Sequence, residues 1–199
     1  DLGGGMFAAI GLLAALHGRN LTGRGQHVDI SMLDGQVSLL NYMAKMFLLT
    51  GDNPKPLGNG HFVHVPYDTF PTQDRWIIIA VITDNGWVGV VEALAADDLR
   101  DPVYLTQPGR WANRDFINRR VREILATRTA DYWLEKLAAH QGPCAPVNDF
   151  EHALNDPQGR ARDMVADVAG RQGGSVSMPG NPMKLSELGA EIFSPPPEL

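Results

Sequence analysis

Cysteine is nearly absent from this sequence, since Cys144 is the only one among 199 residues. A lone thiol cannot close a disulfide within the chain, and it cannot build a metal site from several thiolates. Such cysteine usage is typical of proteins in a reducing compartment. The sequence therefore predicts a cytoplasmic location.

An excess of positive charge is also missing. The chain has 17 Lys and Arg against 23 Asp and Glu, which gives a net charge of -6 at pH 7. Binding to nucleic acids and to acidic membranes depends mainly on Lys and Arg that contact phosphates. The charge balance therefore predicts that neither a nucleic acid nor a membrane is a partner.

No uninterrupted apolar run reaches the roughly 18 to 20 residues that span a bilayer. The longest candidate, residues 6–16, is shorter than that. It is apolar nearly all round, which predicts a helix buried inside a larger domain, covering residues 6–17 and stopping at Gly18.

Metal-ligand patterns are equally scarce. Of the 6 histidines, His61 and His64 form a His-x-x-His pair, but no carboxylate accompanies them at a metal-binding spacing. The sequence predicts no metal and no permanently bound cofactor.

The chain does have the composition of a globular protein, with 44% hydrophobic and 20% charged residues. In the first quarter, the alternating residues 27–32 predict a strand, and residues 33–49 predict one long helix that ends at Gly51. Residues 52–66 are rich in Pro and Gly and are typical of a linker.

The rest of the chain predicts a mixture of short strands and helices. Two strands, 67–72 and 76–82, form a hairpin, and the second is a nearly continuous apolar run. Later elements are three helices, with Thr129 as the N-cap of the third, then a short strand, a helical stretch interrupted at Pro157, and short strands after Met164. In order, they cover residues 85–95, 113–126, 130–139, 143–147 and 149–162.

Four segments in a fixed order resemble one known family. They read DLGGGMFAAIGLLAAL at 1–16, TGRGQHVD at 22–29, PYDTF at 66–70 and NDPQGRAR at 155–162. Together they resemble the family III CoA-transferases, or CaiB/BaiF family, which includes formyl-CoA transferases, carnitine CoA-transferase and α-methylacyl-CoA racemases. The first two segments in tandem are the specific part of the match.

The resemblance implies an α/β fold, with part of a Rossmann-like large domain plus a smaller α+β domain. Residues 1–53 would belong to the large CoA-binding domain, 54–163 to the small domain with its linkers, and 164–199 to a segment returning to the large domain. It also implies an interlocked homodimer of the full-length protein, of which this chain would lack the N-terminal part.

The same resemblance places the catalytic carboxylate at Asp1. In the family, such an aspartate moves CoA between an acyl-CoA and a carboxylic acid through an aspartyl-CoA thioester. Gly3 and Gly4 would let the backbone approach CoA closely, at a helix N-terminus that attracts anions. By its spacing alone, Asp1 is an ordinary helix N-cap, and both roles can coexist.

Gly58 and Gly60 lie where formyl-CoA transferases carry a glycine-rich loop over the active site. The resemblance makes them candidates for contact with the CoA substrate, although a plain flexible linker explains the same glycines. Tyr67 either lines the acyl pocket or packs in the core with its hydroxyl hydrogen-bonded.

Two alternatives to CoA transfer remain open. One is an α-methylacyl-CoA racemase, although Pro71 stands where the racemases have a glutamate that Pro cannot replace. The other is a folding or dimerisation fragment that is inactive by itself.

Overall fold

The computed structural model describes residues 1–170 and 173–187. The chain divides into two compact units, Asp1–Pro56 and Leu57–Leu199. This division falls inside the Pro- and Gly-rich stretch that separates the first helices from the hairpin.

The first unit consists of three helices: α1 (Leu2–Thr22), α2 (Met32–Leu39) and α3 (Asn41–Thr50). The prediction of a first helix is confirmed, but the predicted stop at Gly18 is wrong. A single interior glycine only weakens a helix. The helix instead ends at Gly23, whose left-handed backbone (φ 73) and N–H to the Arg19 carbonyl close the last turn.

The predicted burial of this first helix is not found in the described residues. Gly3 is its one buried residue, Phe7 is half-buried, and its other large apolar side chains lie exposed. The helix is also longer than the apolar run suggested, and its 21 residues are enough, by length and composition, to cross a membrane. A single helix of this kind is weak evidence for a membrane span, because helices of protein cores meet the same criterion.

Residues 27–32 do not form the predicted strand. A strand needs a neighbour that pairs with its backbone, and the described residues of the first unit provide helices instead. Val28 packs against α1, where a Cβ on Gly11 would lie 2.9 Å from its Cγ1. The predicted long helix is also split, because Asn41, the first residue of α3, adopts a left-handed backbone (φ 50).

The second unit contains a three-stranded antiparallel sheet of β1 (Tyr67–Pro71), β2 (Trp76–Ala80) and β3 (Cys144–Pro146), in the order β1-β2-β3. The hairpin and the third strand were both predicted, and both are confirmed. Central strand β2 carries Ile77 and Ile79, which are fully buried.

Helices pack around this sheet, with α6 and α7 directly against its strands. They are α4 (Asp84–Leu94), α5 (Gln107–Ala112), α6 (Arg114–Leu125) and α7 (Ala130–Ala139), with two 3-10 helices, Asp97–Leu99 and Pro102–Leu105, before α5. The three predicted helices are confirmed. The sequence did not predict α5, because its Pro108 and Gly109 look like helix breakers, whereas Pro108 in fact sits in the first turn, where proline fits.

The core of the second unit lies between the sheet and these helices. Its largest fully buried apolar side chains are Phe70, Ile77, Ile79, Trp87, Leu99, Ile117, Leu125 and Leu137. After β3, the chain forms α8 (Phe150–Leu154) and α9 (Pro157–Ala161), then the hairpin of β4 (Val165–Ala169) and β5 (Ser175–Pro179). The interruption at Pro157 and the late short strands are therefore confirmed.

Candidate functional site

Asp1 stands at the N-cap position of α1. Its backbone carbonyl accepts a hydrogen bond from the Gly5 N–H at 2.8 Å, while its side chain makes no capping hydrogen bond. The residue is exposed. The carboxylate at the head of this helix is therefore not used for capping.

The first glycines of α1 serve helix packing. A Cβ on Gly3 would lie 3.1 Å from Leu39 Cδ1 of α2, and one on Gly4 would lie 3.3 Å from Met32 Cγ. Gly3 and Gly4 thus allow α2 to approach α1 closely. Their proposed contact with CoA stays a prediction.

Gly58 and Gly60 shape a turn in the second unit. Gly58 has a left-handed backbone (φ +64), which favours glycine. The Gly60 N–H donates to the Leu57 carbonyl at 3.1 Å, and a Cβ on Gly60 would press against the same oxygen. Both glycines therefore have a conformational reason to be there, beside any contact with substrate.

Tyr67, the first residue of β1, lies against this turn. Its carbonyl accepts the His61 N–H at 3.0 Å, and its ring stacks on the His61 imidazole with centroids 4.9 Å apart. His64 adds a third ring, 4.7 Å from that of His61. The Tyr67 hydroxyl, predicted to find a hydrogen bond if the ring were core, makes none to the described residues.

The protonation of His61 follows from its contacts. Nδ1 accepts the backbone N–H groups of Val63 and His64, at 3.0 and 3.1 Å. A ring nitrogen that accepts hydrogen bonds carries no proton, so the neutral ring has its proton on Nε2. Burial and the neighbouring His64 lower the pKa of His61 from its ordinary value of 6.5, which favours this neutral form.

These rings form one wall of a pocket of about 220 Å³, which we call the His64 pocket. Its opposite wall comes from α5 and α6. The polar residues that line it are His61, His64, Tyr67, Asp68, Arg114, Asp115 and Asn118.

Arg114 is the cation of the His64 pocket. Its guanidinium lies 4.7 Å from the centroid of the Trp111 ring, and its Nε is 3.4 Å from an Asp115 carboxylate oxygen. Asp115 itself is 93% exposed. Its two terminal nitrogens make no hydrogen bond to the described residues of the chain.

Arg110 fixes the loop that carries the two histidines. Its side chain is fully buried, and its Nε donates to the Val65 carbonyl at 2.9 Å. Its other nitrogens donate to the Tyr104 carbonyl, Asp84 and Gln107, each at 2.9 Å. The fork of the guanidinium thus joins the loop to α4 and α5.

The structure brings part of the predicted set together. Gly60 and Tyr67 line the His64 pocket, and Gly58 lies in the turn beside it. Asp1, Gly3 and Gly4 belong to the first unit.

Sequence reasoning missed the pocket residues Arg114 and Asn118. A polar residue on an amphipathic helix usually faces solvent, and neither position departs from that pattern. The local signals for this pocket were the His-x-x-His pair of His61 and His64 and the glycines just before it.

Comparison with known proteins identifies the family. The model of CoA-transferase family III matches residues 1–199, so the chain belongs to this family, and the resemblance seen in the sequence is confirmed. A CaiB/BaiF family protein from Brucella suis has the same fold, with a TM-score of 0.78 and 30% identity over 92% of this chain and 48% of that one. The predicted fold class is thereby confirmed.

Two relatives of this chain have names that state an activity. An acetyl-CoA:oxalate CoA-transferase from Acetobacter aceti is 34% identical over 94% of this chain, and a succinyl-CoA:mesaconate CoA-transferase from Haloarcula hispanica is 34% identical over the same share. This chain spans 47% of each relative, about half of its length.

Proposed function

We propose that the complete protein moves CoA from an acyl-CoA to a carboxylic acid, with Asp1 as the catalytic residue. Membership of CoA-transferase family III over residues 1–199 is the observation that carries this proposal. The Asp1 carboxylate is exposed at the start of α1 and makes no capping hydrogen bond, which supports Asp1 as the catalytic residue.

The proposed chemistry has four steps, all at acyl carbons. An Asp1 oxygen attacks the donor thioester, which expels CoA thiolate and leaves a mixed anhydride. The thiolate then attacks the aspartyl carbonyl, which releases the donor acid and leaves an aspartyl-CoA thioester. The acceptor carboxylate attacks that thioester to form a second anhydride, and the expelled thiolate takes the acceptor acyl group and frees Asp1.

The start of α1 suits this role electrostatically. Unpaired N–H groups and the helix dipole place partial positive charge at the N-terminus of a helix. That charge stabilises the carboxylate of Asp1 and the oxyanions that develop when it is acylated.

The proposed substrates are an acyl-CoA and a carboxylic acid. The names of the two relatives pair an acyl-CoA with oxalate or with mesaconate, both of which are dicarboxylic acids. We propose that the acceptor of this protein is also a dicarboxylic acid. Gly58, Gly60 and Tyr67 remain our candidates for contact with CoA, and an interlocked homodimer in the cytoplasm remains our proposal for its assembly and location.

Trapping with hydroxylamine tests the role of Asp1. The complete protein is incubated with donor acyl-CoA and hydroxylamine, digested and analysed by mass spectrometry. We expect a hydroxamate on the peptide that begins α1, and an unmodified peptide from active enzyme would refute the mechanism.

Two variants sharpen this test. Asp1→Asn should lose transfer activity by about a thousandfold or more, because an amide cannot be acylated and form the anhydride. Asp52→Asn, an exposed aspartate of the same unit, should retain activity. Exchange of the α-hydrogen with deuterated water in the absence of an acceptor acid would instead identify a racemase.

A further inference from the structure

The sequence contains two Asn-Gly pairs, Asn59-Gly60 and Asn85-Gly86. Asparagine is a chemically labile residue, and it loses its side-chain amide most readily before glycine. The backbone nitrogen of the next residue attacks the amide carbon, and glycine has no Cβ to hinder that attack. Both asparagines are exposed, so a difference in their reactivity must come from the backbone around them.

The pair Asn85-Gly86 is held in the first turn of α4. Asn85 is the second residue of this helix, and the Gly86 N–H donates to the hydroxyl of Thr83 at 3.2 Å. Gly86 is buried, and a Cβ on it would lie 3.3 Å from Pro143 Cδ. Attack on the Asn85 amide requires backbone torsions that a helix does not allow. This pair can therefore react only when the first turn of α4 opens.

The pair Asn59-Gly60 lies in an exposed turn instead. The preceding residue, Gly58, has a left-handed backbone, and the Gly60 N–H donates to the Leu57 carbonyl at 3.1 Å. Opening one exposed turn costs much less free energy than unwinding the end of a helix that packs on the core. The Gly60 nitrogen is therefore the more accessible of the two attacking atoms.

A hydroxyl stands beside the leaving group of Asn59. Nδ2 of Asn59, the atom that departs as ammonia, donates to Oγ1 of Thr69 at 3.1 Å. Thr69 is half-buried in β1, where it lies opposite Ile78 of β2, so the sheet fixes its position. After the backbone nitrogen has added to the amide carbon, Nδ2 becomes an amine that must gain a proton before it leaves. The Thr69 hydroxyl is placed to relay that proton from water.

We propose that Asn59 deamidates in the folded protein, with Thr69 as the proton relay. The Gly60 nitrogen forms a bond to Cγ of Asn59 and gives its proton to water. The bond from Cγ to Nδ2 then breaks, and Nδ2 leaves as ammonia with the proton relayed by Thr69, which produces a succinimide. Water opens this ring at either carbonyl and gives aspartate or isoaspartate, so the reaction consumes one water and releases one ammonia.

The products change the turn beside the His64 pocket. An ionised aspartate at position 59 cannot donate to Thr69, and it adds negative charge next to Gly60, which lines the pocket. Isoaspartate also inserts a methylene group into the backbone between Gly58 and Gly60. These two glycines are our candidates for contact with CoA. Deamidation does not depend on that contact or on the reaction at Asp1, so each proposal can fail without the other.

Peptide mapping by mass spectrometry measures both pairs in one sample. The full chain is incubated at neutral pH, either folded or unfolded in urea, and the conversion of each asparagine to the acid is followed over time. We expect Asn59 to convert about tenfold or more faster than Asn85 in the folded chain, because Asn85 must wait for the helix to open. In urea the two rates should agree. Equal rates in the folded chain, faster conversion of Asn85, or conversion of Asn59 in urea alone overturns the proposal.

Variants of Thr69 separate the relay from the accessible turn. Thr69→Val keeps the shape of the side chain but removes the hydroxyl, so conversion of Asn59 should slow by about threefold or more. Thr69→Ser keeps a hydroxyl and should retain most of the rate. Conversion of Asn85 in the same samples is the internal control and should not change.

Folding of each variant is checked by circular dichroism and by its melting temperature. If Thr69→Val does not fold, the serine variant and the two pairs in the unaltered chain still decide. An unchanged rate at Asn59 in folded Thr69→Val, or a rate in Thr69→Ser as slow as without a hydroxyl, overturns the role of Thr69.

Discussion

The Arg110 guanidinium donates to the carbonyl oxygen of Val65 across 2.9 Å, although 45 positions separate the two residues in the sequence. Four acceptors share this one buried side chain, and its cation also lies 5.7 Å from the centroid of the Trp87 ring. The position of the loop before β1 therefore depends on one arginine of α5.

Replacing Arg110 should destabilise the second unit strongly. Arg110→Met leaves the carbonyls of Val65 and Tyr104 without their donor, so we expect a loss of about 3 kcal/mol in the free energy of unfolding. Urea unfolding followed by tryptophan fluorescence measures it. Arg100→Met, at a half-exposed arginine, is the control, and equal stability of the two variants would contradict this account.

The N-terminus of α7 is capped from the hairpin rather than by the residue before it. Thr129 occupies the N-cap position, as predicted, but its side chain makes no capping hydrogen bond. Asp74, in the turn between β1 and β2, accepts the Ala130 N–H at 2.8 Å instead.

Asp74→Ala should therefore lower the melting temperature by a few degrees, while Thr129→Ala leaves it nearly unchanged. The Ala130 N–H, followed by the Thr72 hydroxyl, lowers the pKa of Asp74 from 3.8. This stabilisation is present above pH 3.8 and is lost as the pH falls through the folded-state pKa. A larger effect of Thr129→Ala than of Asp74→Ala would refute the assignment.

Gly89 permits the contact between α4 and the end of α7. A Cβ at this position would overlap the carbonyl oxygen of His140. We expect Gly89→Ala to cost about 1 to 3 kcal/mol of stability, because backbone must move to admit the methyl group. Gly18→Ala in α1, where a Cβ meets nothing within 4 Å, should be neutral or stabilising in thermal unfolding, since alanine favours helix.

His61 should titrate below an unperturbed histidine. Its lowered pKa means that His61 binds a proton more readily in the unfolded chain than in the folded protein. The neutral ring therefore makes its full contribution to the free energy of unfolding above pH 6.5. This contribution is lost as the pH falls from 6.5 through the lower folded-state pKa. NMR titration of the ring measures that pKa directly.

His61→Asn is the matching variant, since its side-chain oxygen can still accept N–H groups but does not titrate. Its melting temperature should change less between pH 7.5 and pH 5 than that of the unaltered chain. His27→Asn, at an exposed histidine of the first unit, should leave this pH dependence in place.

Local patterns predicted much of the second unit. The run Trp76–Ala80 is apolar and follows a polar turn, so its pairing with β1 could be deduced from neighbours in the sequence. The strand expected at residues 27–32 was wrong because pairing depends on a partner that periodicity does not reveal. The helix α5 was missed because Pro108 and Gly109 look like helix breakers, and only the structure shows that Pro108 lies in its first turn.

The sequence predicted the candidate site only where its residues lie close together along the chain. Gly58, Gly60 and Tyr67 come from one short stretch, and the structure places two of them in the lining of one pocket. Asn118 lies 54 positions after His64, and nothing in either neighbourhood indicates that they line the same space. Asp1 was chosen by resemblance to a family, and its role stays a prediction.

Proline at both edges of the three-stranded sheet has a consequence for association between molecules. Edge strand β1 ends at Pro71, opposite Trp76, and edge strand β3 ends at Pro146, opposite Ile77. Proline has no N–H to offer to an incoming strand. The two edges are therefore poor templates for strand addition, which protects this sheet from aggregating through its backbone.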